Sequence, residues 1–172
     1  MSSTRPNVLF LIADDHRYSA LGYRGMEDVR TPSLDHLAQG GTTLSHAYIR
    51  GSVSGAVCIP ARAMLMTGAS LFRTFAPIND NTPRYTIPQS HALLPEVLAN
   101  HGYHTFGTGK WHNYPHTFAR GFKDGGDIFF GGMSSHDTVP VHDFDASGLY
   151  PEESRRTGHK HSSELFADQA VN

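Results

Sequence analysis

The sequence predicts an α/β fold in which a mostly parallel sheet carries helices on both faces. A continuous apolar run at residues 7–13 is typical of a strand that is buried on both sides. Helix-like and strand-like segments then alternate as far as Lys110, as they do in chains that build parallel sheets. The length of 172 residues suits about one domain.

Each of these segments carries its own start or stop signal. The apolar run ends abruptly at Asp14. Thr31 and Pro32 resemble the cap and the first-turn proline of a helix, which Gly40 ends. The segments that follow are predicted as a strand at 42–48, a Gly- and Ser-rich stretch at 51–55, a helix at 60–66, a helix around 94–98 and a strand at 103–107.

The pattern weakens beyond Lys110. Residues 125–135 and 154–162 are rich in Gly, Ser, His and Asp and are predicted as surface loops, whereas residues 162–172 begin a helix. Three or four strands make about half of a doubly wound sheet. We therefore expect the chain to be the N-terminal part of a larger domain or a short gene product.

The composition argues against several classes of protein. Lys and Arg number 14 and Asp and Glu number 16, so the net charge of −2 argues against a nucleic-acid partner. No apolar run approaches the roughly 20 residues of a membrane-spanning helix, and no charged and then apolar leader is present. A cytoplasmic protein without a membrane partner is expected. The single cysteine, Cys58, cannot form an internal disulfide.

Two adjacent carboxylates, Asp14 and Asp15, follow the predicted first strand, and open α/β sheets bind ligands where their strands end. At a separation of about 4 Å and an effective dielectric near 20, two such charges repel by roughly 4 kcal/mol. A hard divalent cation would remove this repulsion, and a set of oxygen ligands favours Ca²⁺ or Mg²⁺ over zinc. The alternative is a solvated pair that caps the next turn.

Cys58 lies at the start of a predicted helix, with Pro60 two residues and Arg62 four residues further on. Helix N-termini attract anions and favour thiolates, so this position suits an active thiolate or an anionic substrate. Arg62, one turn into the helix, is placed to reach back to whatever residue 58 carries. The alternative is a structural cysteine that packs as a small apolar side chain.

A third cluster, residues 107–112, follows a predicted strand. Its glycines let the backbone come close to a ligand, and Lys110 and His112, two residues apart in an extended segment, point to the same side. This arrangement pairs a fixed positive charge with the side-chain type that titrates near neutral pH. Taken singly, a residue of either type is most often a solvated surface residue.

Together the three clusters closely resemble the N-terminal half of the type I sulfatases, which belong to the alkaline phosphatase superfamily. The resemblance is carried by the run 5–15, CIPAR at 58–62, GYHT at 102–105, GKWH at 109–112, RGF at 120–122 and FFG at 129–131. It covers about residues 5–132. It implies an alkaline phosphatase-like fold, with 1–172 as the N-terminal part of a sulfatase catalytic domain and 133–172 as loops followed by the start of a helix.

The resemblance also implies a sulfuric ester hydrolase whose substrate is a small anionic sulfate ester. A maturation enzyme would convert Cys58 to formylglycine, and the hydrated aldehyde would take up and then release the sulfuryl group. Asp14, Asp15 and the modified residue 58 would bind Ca²⁺, with Mg²⁺ as the alternative.

The remaining roles implied by the resemblance fall on three charged or titratable side chains. Arg62 would hold the deprotonated diol, and Lys110 would bridge the diol and the sulfate. His112 would hydrogen-bond the diol and accept its proton when the aldehyde re-forms.

Departures from the family pattern leave some assignments open. After the GKWH motif the family usually continues with Leu and Gly, whereas Asn113 and Tyr114 follow here, and the usual glycine near Phe75 is absent. These changes bear on pocket shape and substrate. The family's other metal ligands and its leaving-group histidine lie beyond the matched region. No motif assigns the leaving-group acid to His136, His142 or His161.

Other functions are compatible with parts of the sequence. A phosphonate monoester or phosphodiester hydrolase uses the same formylglycine, metal and positive cluster, and an inactive fragment would leave a sheet edge unpaired. A transition-metal site is conceivable at His101 and His104 or at His159 and His161. A papain-like protease has less support, because nothing around Cys58 resembles the local signature of those enzymes.

Overall fold

The computed structural model describes residues 5–48, 51, 57–74, 76–79 and 82–172, with the backbone alone for 76–79 and 82–86. The chain divides into two compact units, Met1–Tyr48 and Ile49–Asn172. Most of the Gly- and Ser-rich stretch predicted at 51–55, and Phe75, lie outside the described residues.

The first unit is organised around one helix, α1 (Pro32–Gly40), and one 3₁₀ turn, Gly22–Arg24. The Thr31 hydroxyl accepts a hydrogen bond from the Gly22 N–H at 2.8 Å and donates to the Asp35 carboxylate at 2.7 Å. These two bonds fix the turn against the start of the helix. The helix predicted from Thr31 and Pro32 is confirmed.

The strands predicted at 7–13 and 42–48 are wrong, because neither segment is in a strand. Val8, Leu9, Phe10 and Leu11 are between 48% and 75% exposed. A strand needs a neighbouring backbone to satisfy its N–H and C=O groups, and no strand within described residues 5–48 supplies one. Apolar composition alone therefore does not make this segment a strand.

The second unit contains five helices and six short strands among its described residues. The helices are α2 (Cys58–Thr67), α3 (Leu71–Thr74), α4 (Leu94–Asn100), α5 (Pro115–Gly121) and α6 (Ser162–Val171). The strands are β1 (Ala76–Asn79), β2 (Thr82–Thr86), β3 (Phe106–Lys110), β4 (Asp124–Phe129), β5 (Pro140–Val141) and β6 (Arg156–Thr157). β1 and β2 form an antiparallel pair, as do β5 and β6, whereas β3 and β4 are parallel.

The parallel pair of β3 and β4 confirms the α/β class, because helices cover both of its faces. A Cβ added to Gly125 would lie 3.2 Å from the Phe118 ring of α5, and one added to Gly126 would lie 2.5 Å from the Gln169 side chain of α6. Successive residues of a strand point to opposite faces. The connection between β3 and β4 runs through α5, as parallel pairing requires.

Aromatic rings fill the α5 face of this pair. Phe118 is 2% exposed, and its ring centroid lies 4.6 Å from that of Phe122 and 5.4 Å from that of Trp111. On the α6 face, Phe129 packs with Val139 and Val141 and with two partly buried residues of α6, Leu165 and Phe166. The core of the second unit therefore lies on both sides of the parallel strands.

The predicted strand at 103–107 is displaced, since β3 runs from Phe106 to Lys110. Glycine is rare inside strands, so Gly107 and Gly109 indicated an end to the strand. In the structure they are the positions at which rings come close. A Cβ on Gly107 would lie 2.6 Å from the Phe118 ring. Gly109 has φ +83°, and a Cβ there would make a tight contact of 3.2 Å with the Phe166 ring.

The loop predicted at 125–135 is wrong over its first half, which forms most of β4. The register of β4 shifts at Asp127, which has φ +48° and is 2% exposed. Its carboxylate is paired with the guanidinium of Arg156 on β6 at 2.7 Å. A Gly- and Asp-rich sequence thus forms a strand with a bulge, because the bulged carboxylate has a cationic partner.

Helix predictions made from caps, prolines and glycines are confirmed at 60–66, 94–98 and 162–172, where α2, α4 and α6 lie. The loop predicted at 154–162 begins at the end of a 3₁₀ turn, Glu152–Ser154, includes the two-residue β6 and ends where α6 starts. Among the described helices, none has both the length and the apolar character needed to span a bilayer.

Candidate active site

Helix α2 places Cys58 and Arg62 one turn apart, at and just after its N-terminus. The helix ends at Gly68, which has φ +64° and donates its N–H to the Met64 carbonyl at 2.9 Å. Cys58 is half-buried, whereas Arg62 is buried with 7% exposure. An arginine so deeply placed needs polar partners for its guanidinium.

The Arg62 guanidinium donates a hydrogen bond from Nη1 to the backbone carbonyl of Lys110. Lys110 is the last residue of β3, so this bond connects the CIPAR helix to the GKWH segment. The two motifs lie 48 residues apart in sequence. The structure therefore brings together two of the three clusters singled out in the sequence.

The GKWH segment is anchored by its tryptophan. Trp111 is 4% exposed, its backbone N–H donates to the Phe129 carbonyl at 2.8 Å, and its indole N–H donates to the Thr117 hydroxyl at 3.1 Å. The ring also packs edge-on against Phe118 and Phe122. These contacts hold the backbone between Lys110 and His112 against both β4 and α5.

Lys110 and His112 approach a common point, but not through the alternation of an extended segment. His112 has φ +51°, so the chain turns immediately after β3 and the same-side argument fails. The Lys110 ammonium donates from Nζ to the Gly132 carbonyl at 2.7 Å. A Cβ on Gly132 would lie 2.6 Å from Cε1 and from Nε2 of His112. Both side chains thus reach the backbone of Gly132.

Asn113 forms a second connection between α2 and the GKWH segment. Its side chain is 9% exposed, and its Nδ2 lies 3.4 Å from the carbonyl oxygens of Ile59 and Trp111. Both bonds are long, yet the amide orientation is fixed because the opposite orientation would point Oδ1 at two carbonyls. The sequence marked Asn113 only as a departure from the family pattern and did not indicate this burial.

Asp14 and Asp15 lie in the first unit, where both side chains are exposed and Asp15 has φ +53°. Adjacent carboxylate oxygens match the ligand preference of Ca²⁺ and Mg²⁺. No group of three or more His, Cys, Asp or Glu side chains close enough to hold a metal ion occurs among residues that the structure describes. A hard-cation site that used Asp14 and Asp15 would need further oxygen ligands besides these two carboxylates.

Three other histidines considered from sequence, His136, His142 and His161, have local partners. His142 is 8% exposed and its Nδ1 lies 3.2 Å from the Ser154 hydroxyl. Burial lowers the pKa of His142, aided by Arg155 and partly opposed by nearby carboxylates. The His136 and His161 rings stack with centroids 5.3 Å apart. These contacts account for His136, His142 and His161 as packed or hydrogen-bonded side chains, and the leaving-group acid stays unassigned.

Comparison with known proteins places these motifs in a family. The sulfatase family's sequence model matches residues 6–172. The chain is 31% identical to the N-acetylgalactosamine-6-sulfatase of Mus musculus, over 96% of this chain and 35% of that protein. It is 33% identical to arylsulfatase J of Mus musculus, over 76% of this chain and 21% of that protein.

The fold agrees with this comparison. A solved structure from Bacteroides fragilis, of a protein assigned to the sulfatases, superimposes with a TM-score of 0.75 at 25% identity. The match covers 96% of this chain and 39% of that one. The chain thus spans about a third or less of the length of the two mouse relatives. With the family model matched over nearly its whole length, this chain belongs to the sulfatase family.

Proposed function

We propose that the protein hydrolyses sulfate esters, with residue 58 as formylglycine and with a divalent metal ion bound nearby. The observation that carries this proposal is the hydrogen bond from Arg62 to the Lys110 carbonyl, which joins the CIPAR and GKWH motifs. Family membership supplies the reaction class. In the second unit, Arg62 bonds to the Lys110 backbone, and Lys110 and His112 both lie against Gly132. These contacts support the proposal, because cationic and titratable side chains in one region can stabilise a tetrahedral anion.

The proposed role of residue 58 explains why a plain cysteine is insufficient. Conversion of Cys58 to formylglycine by the maturation enzyme, followed by hydration of the aldehyde, would supply two hydroxyls. One would lose its proton and bond through oxygen to sulfur as the ester S–O bond breaks, and the alcohol would leave with a proton. Loss of the other hydroxyl's proton then re-forms C=O and expels sulfate. A serine or thiol at this position would leave a sulfated adduct that only water could cleave. Cys58 is half-buried at the start of α2, so its side chain is partly accessible to solvent.

Three side chains of the second unit take the remaining roles. Arg62, held within α2 and bonded to the β3 backbone, would stabilise the deprotonated diol. Lys110, oriented by the Gly132 carbonyl, would contact both the diol and the sulfate. His112 would accept the diol proton when sulfate is released, since an imidazole near neutral pH is suited to proton transfer.

Asp14 and Asp15, together with the modified residue 58, would hold the metal ion, for which Ca²⁺ fits the carboxylate oxygens and Mg²⁺ is the alternative. A bound divalent cation favours the deprotonated diol and offsets the negative charge of the sulfate. The proposed substrate is a small anionic sulfate ester, and the proposed maturation partner is a formylglycine-generating enzyme. The cytoplasmic location stays a prediction.

The modification is tested by the mass of one tryptic peptide. Trypsin cleaves after Arg50 and Arg62, so Cys58 is carried by the peptide 51–62. The chain should be produced with and without a formylglycine-generating enzyme. An aldehyde in place of the thiol is expected only in its presence. An unmodified thiol in both preparations would contradict the assignment of residue 58.

The reaction class is tested by assaying the modified protein with aryl sulfate and aryl phosphonate esters in the presence of Ca²⁺. Hydrolysis of the sulfate ester is expected, and a preference for the phosphonate would make the protein a phosphonate hydrolase instead. Lys110→Ala and His112→Ala should each lower turnover by roughly 10² to 10³. The matched controls Lys123→Ala and His101→Ala, both on exposed residues, should retain activity.

A further inference from the structure

The parallel register of β3 and β4 brings a glycine segment beside the GKWH motif. Lys110 pairs with Phe129 at the ends of the two strands. Because the strands are parallel, the chain leaves both of them at the same edge of the sheet. Gly132, three residues beyond β4, therefore lies next to the residues that follow β3.

Gly132 contacts both Lys110 and His112, and it does so through different atoms. Its carbonyl oxygen accepts the hydrogen bond from the Lys110 ammonium at 2.7 Å. Its Cα faces the imidazole of His112 so closely that a Cβ would lie 2.6 Å from both Cε1 and Nε2. Contacts below 3.0 Å are essentially never made by real Cβ atoms. The His112 ring therefore occupies space that any other residue at 132 would fill.

The imidazole has limited freedom to avoid such a side chain. The backbone at His112 is in the left-handed region, at φ +51°, and the adjacent Trp111 is fixed by its bonds to Phe129 and Thr117. A ring on a fixed backbone must respond to crowding by rotating about its side-chain bonds. Such a rotation changes where Nε2 points.

We propose that Gly132 is a positioning residue that sets the orientation of the Lys110 ammonium and the His112 ring. This inference rests on the proposed function for its catalytic meaning, but its geometry is independent of the reaction. The Gly132 carbonyl aligns Lys110, and this backbone atom is kept in every substitution at 132. The missing side chain allows the histidine ring to lie against the backbone. A substitution at 132 should therefore disturb His112 first.

The test compares two glycine-to-alanine variants of the full chain by NMR. Gly132→Ala crowds the His112 ring, whereas Gly126→Ala crowds the Gln169 side chain at 2.5 Å on the α6 face. Both clashes involve side-chain atoms rather than backbone, so both variants should fold. Histidine resonances are followed with labelled imidazoles, and the His112 signal is assigned from His112→Gln.

In Gly132→Ala the His112 ring signals should shift more than those of any other histidine. In Gly126→Ala they should stay in place while the Gln169 amide signals move. The unaltered chain should show nuclear Overhauser contacts from the Gly132 α protons to the His112 ring. These contacts keep the inference testable if Gly132→Ala does not fold. Their absence, or an unmoved His112 in a folded Gly132→Ala variant, would overturn it.

Titration with inorganic sulfate separates this inference from the proposed function. In the unaltered chain, sulfate should shift the His112 ring signals and the Lys110 ammonium signal. Gly132→Ala should require several-fold more sulfate for the same change, and Gly126→Ala should not. If sulfate leaves both signals unmoved in the unaltered chain, the proposed function loses support. The positioning role is then still decided by the ring contacts and the shift in Gly132→Ala.

Discussion

Leu9 and Leu11 in the first unit are 75% and 68% exposed, whereas Phe118 and Ile128 in the second unit are 2% and 0% exposed. No side chain within described residues 5–48 is buried, although this region contains the longest early apolar run. The second unit buries its rings around strands that are rich in glycine. An apolar side chain is therefore buried only where another element packs against it. In the second unit, the glycines of β3 and β4 let aromatic rings pack directly on the strands.

The glycines act by removing bulk at the points where rings make contact. Phe118 lies against the positions that Cβ atoms of both Gly107 and Gly125 would occupy. A larger residue on either strand would push the ring away from the sheet. The comparison between the two units predicts that equivalent substitutions will have very different effects on stability.

The largest expected effect is that of Phe118→Ala. Truncating a fully buried phenylalanine costs about 3–5 kcal/mol, which is a large part of the stability of a domain of this size. The matched variant Phe10→Ala removes a ring that is 48% exposed and should cost less than about 1 kcal/mol. Urea unfolding followed by circular dichroism measures both. Equal losses would contradict the contrast between the units.

A smaller effect is expected from adding a methyl group to β3. In Gly107→Ala the new Cβ would lie 2.6 Å from the Phe118 ring, and overpacking of this kind costs about 1–3 kcal/mol. Gly40→Ala, at the end of α1, meets nothing within 4 Å and should be neutral or slightly stabilising. Thermal unfolding of the pair measures the difference. A tolerated Gly107→Ala would show that Phe118 can move at little cost.

Substitutions of Asn113 test whether a buried polar contact, in addition to the aromatic packing, stabilises the second unit. Asn113→Asp places a carboxylate beside the carbonyl oxygens of Ile59 and Trp111, so it should cost about 2 kcal/mol at neutral pH. Repulsion raises the pKa of the new carboxyl in the folded state, and the loss should therefore grow as pH rises through that pKa. Asn113→Ala should cost about 1 kcal/mol independently of pH. Denaturant unfolding at several pH values separates the two.

The smallest effect is expected from His142. Burial lowers its pKa below 6.5 in the folded state, so the unfolded chain binds a proton more readily. The stabilising contribution is present above about pH 6.5 and is lost as pH falls through the folded pKa. His142→Gln should flatten this part of the stability profile. His36→Gln, on an exposed residue of α1, is the matched control, and a profile flattened equally by both substitutions would contradict the assignment to His142.

Local signals in the sequence predicted the helices better than the strands. Pro60 and Gly68 mark α2, and Pro95 and Gly102 mark α4, because caps and breakers act within a few residues. Strands need a partner that the local sequence does not name. Nothing near residues 7–13 indicates that they lack one, and nothing near Asp127 indicates that Arg156 will pair with its bulged carboxylate.

The candidate site was accessible from sequence at the level of motifs. The CIPAR and GKWH motifs identify four candidate residues: Cys58, Arg62, Lys110 and His112. The bond from Arg62 to the Lys110 backbone, however, depends on how α2 packs. The convergence of Lys110 and His112 on Gly132 depends on the register of two strands. In the sequence, the signal for this contact is a glycine, Gly132, shortly after β4, the strand that pairs in parallel with β3.

Trp111 gives the protein a built-in optical reporter. It is the only tryptophan in the chain, is shielded from water, and stands between Lys110 and His112 in sequence. Its fluorescence therefore comes from a single place, the end of β3, and requires no label. Emission at short wavelength in the folded chain, and its displacement by anions or by loss of α5 packing, would follow events at that place in real time.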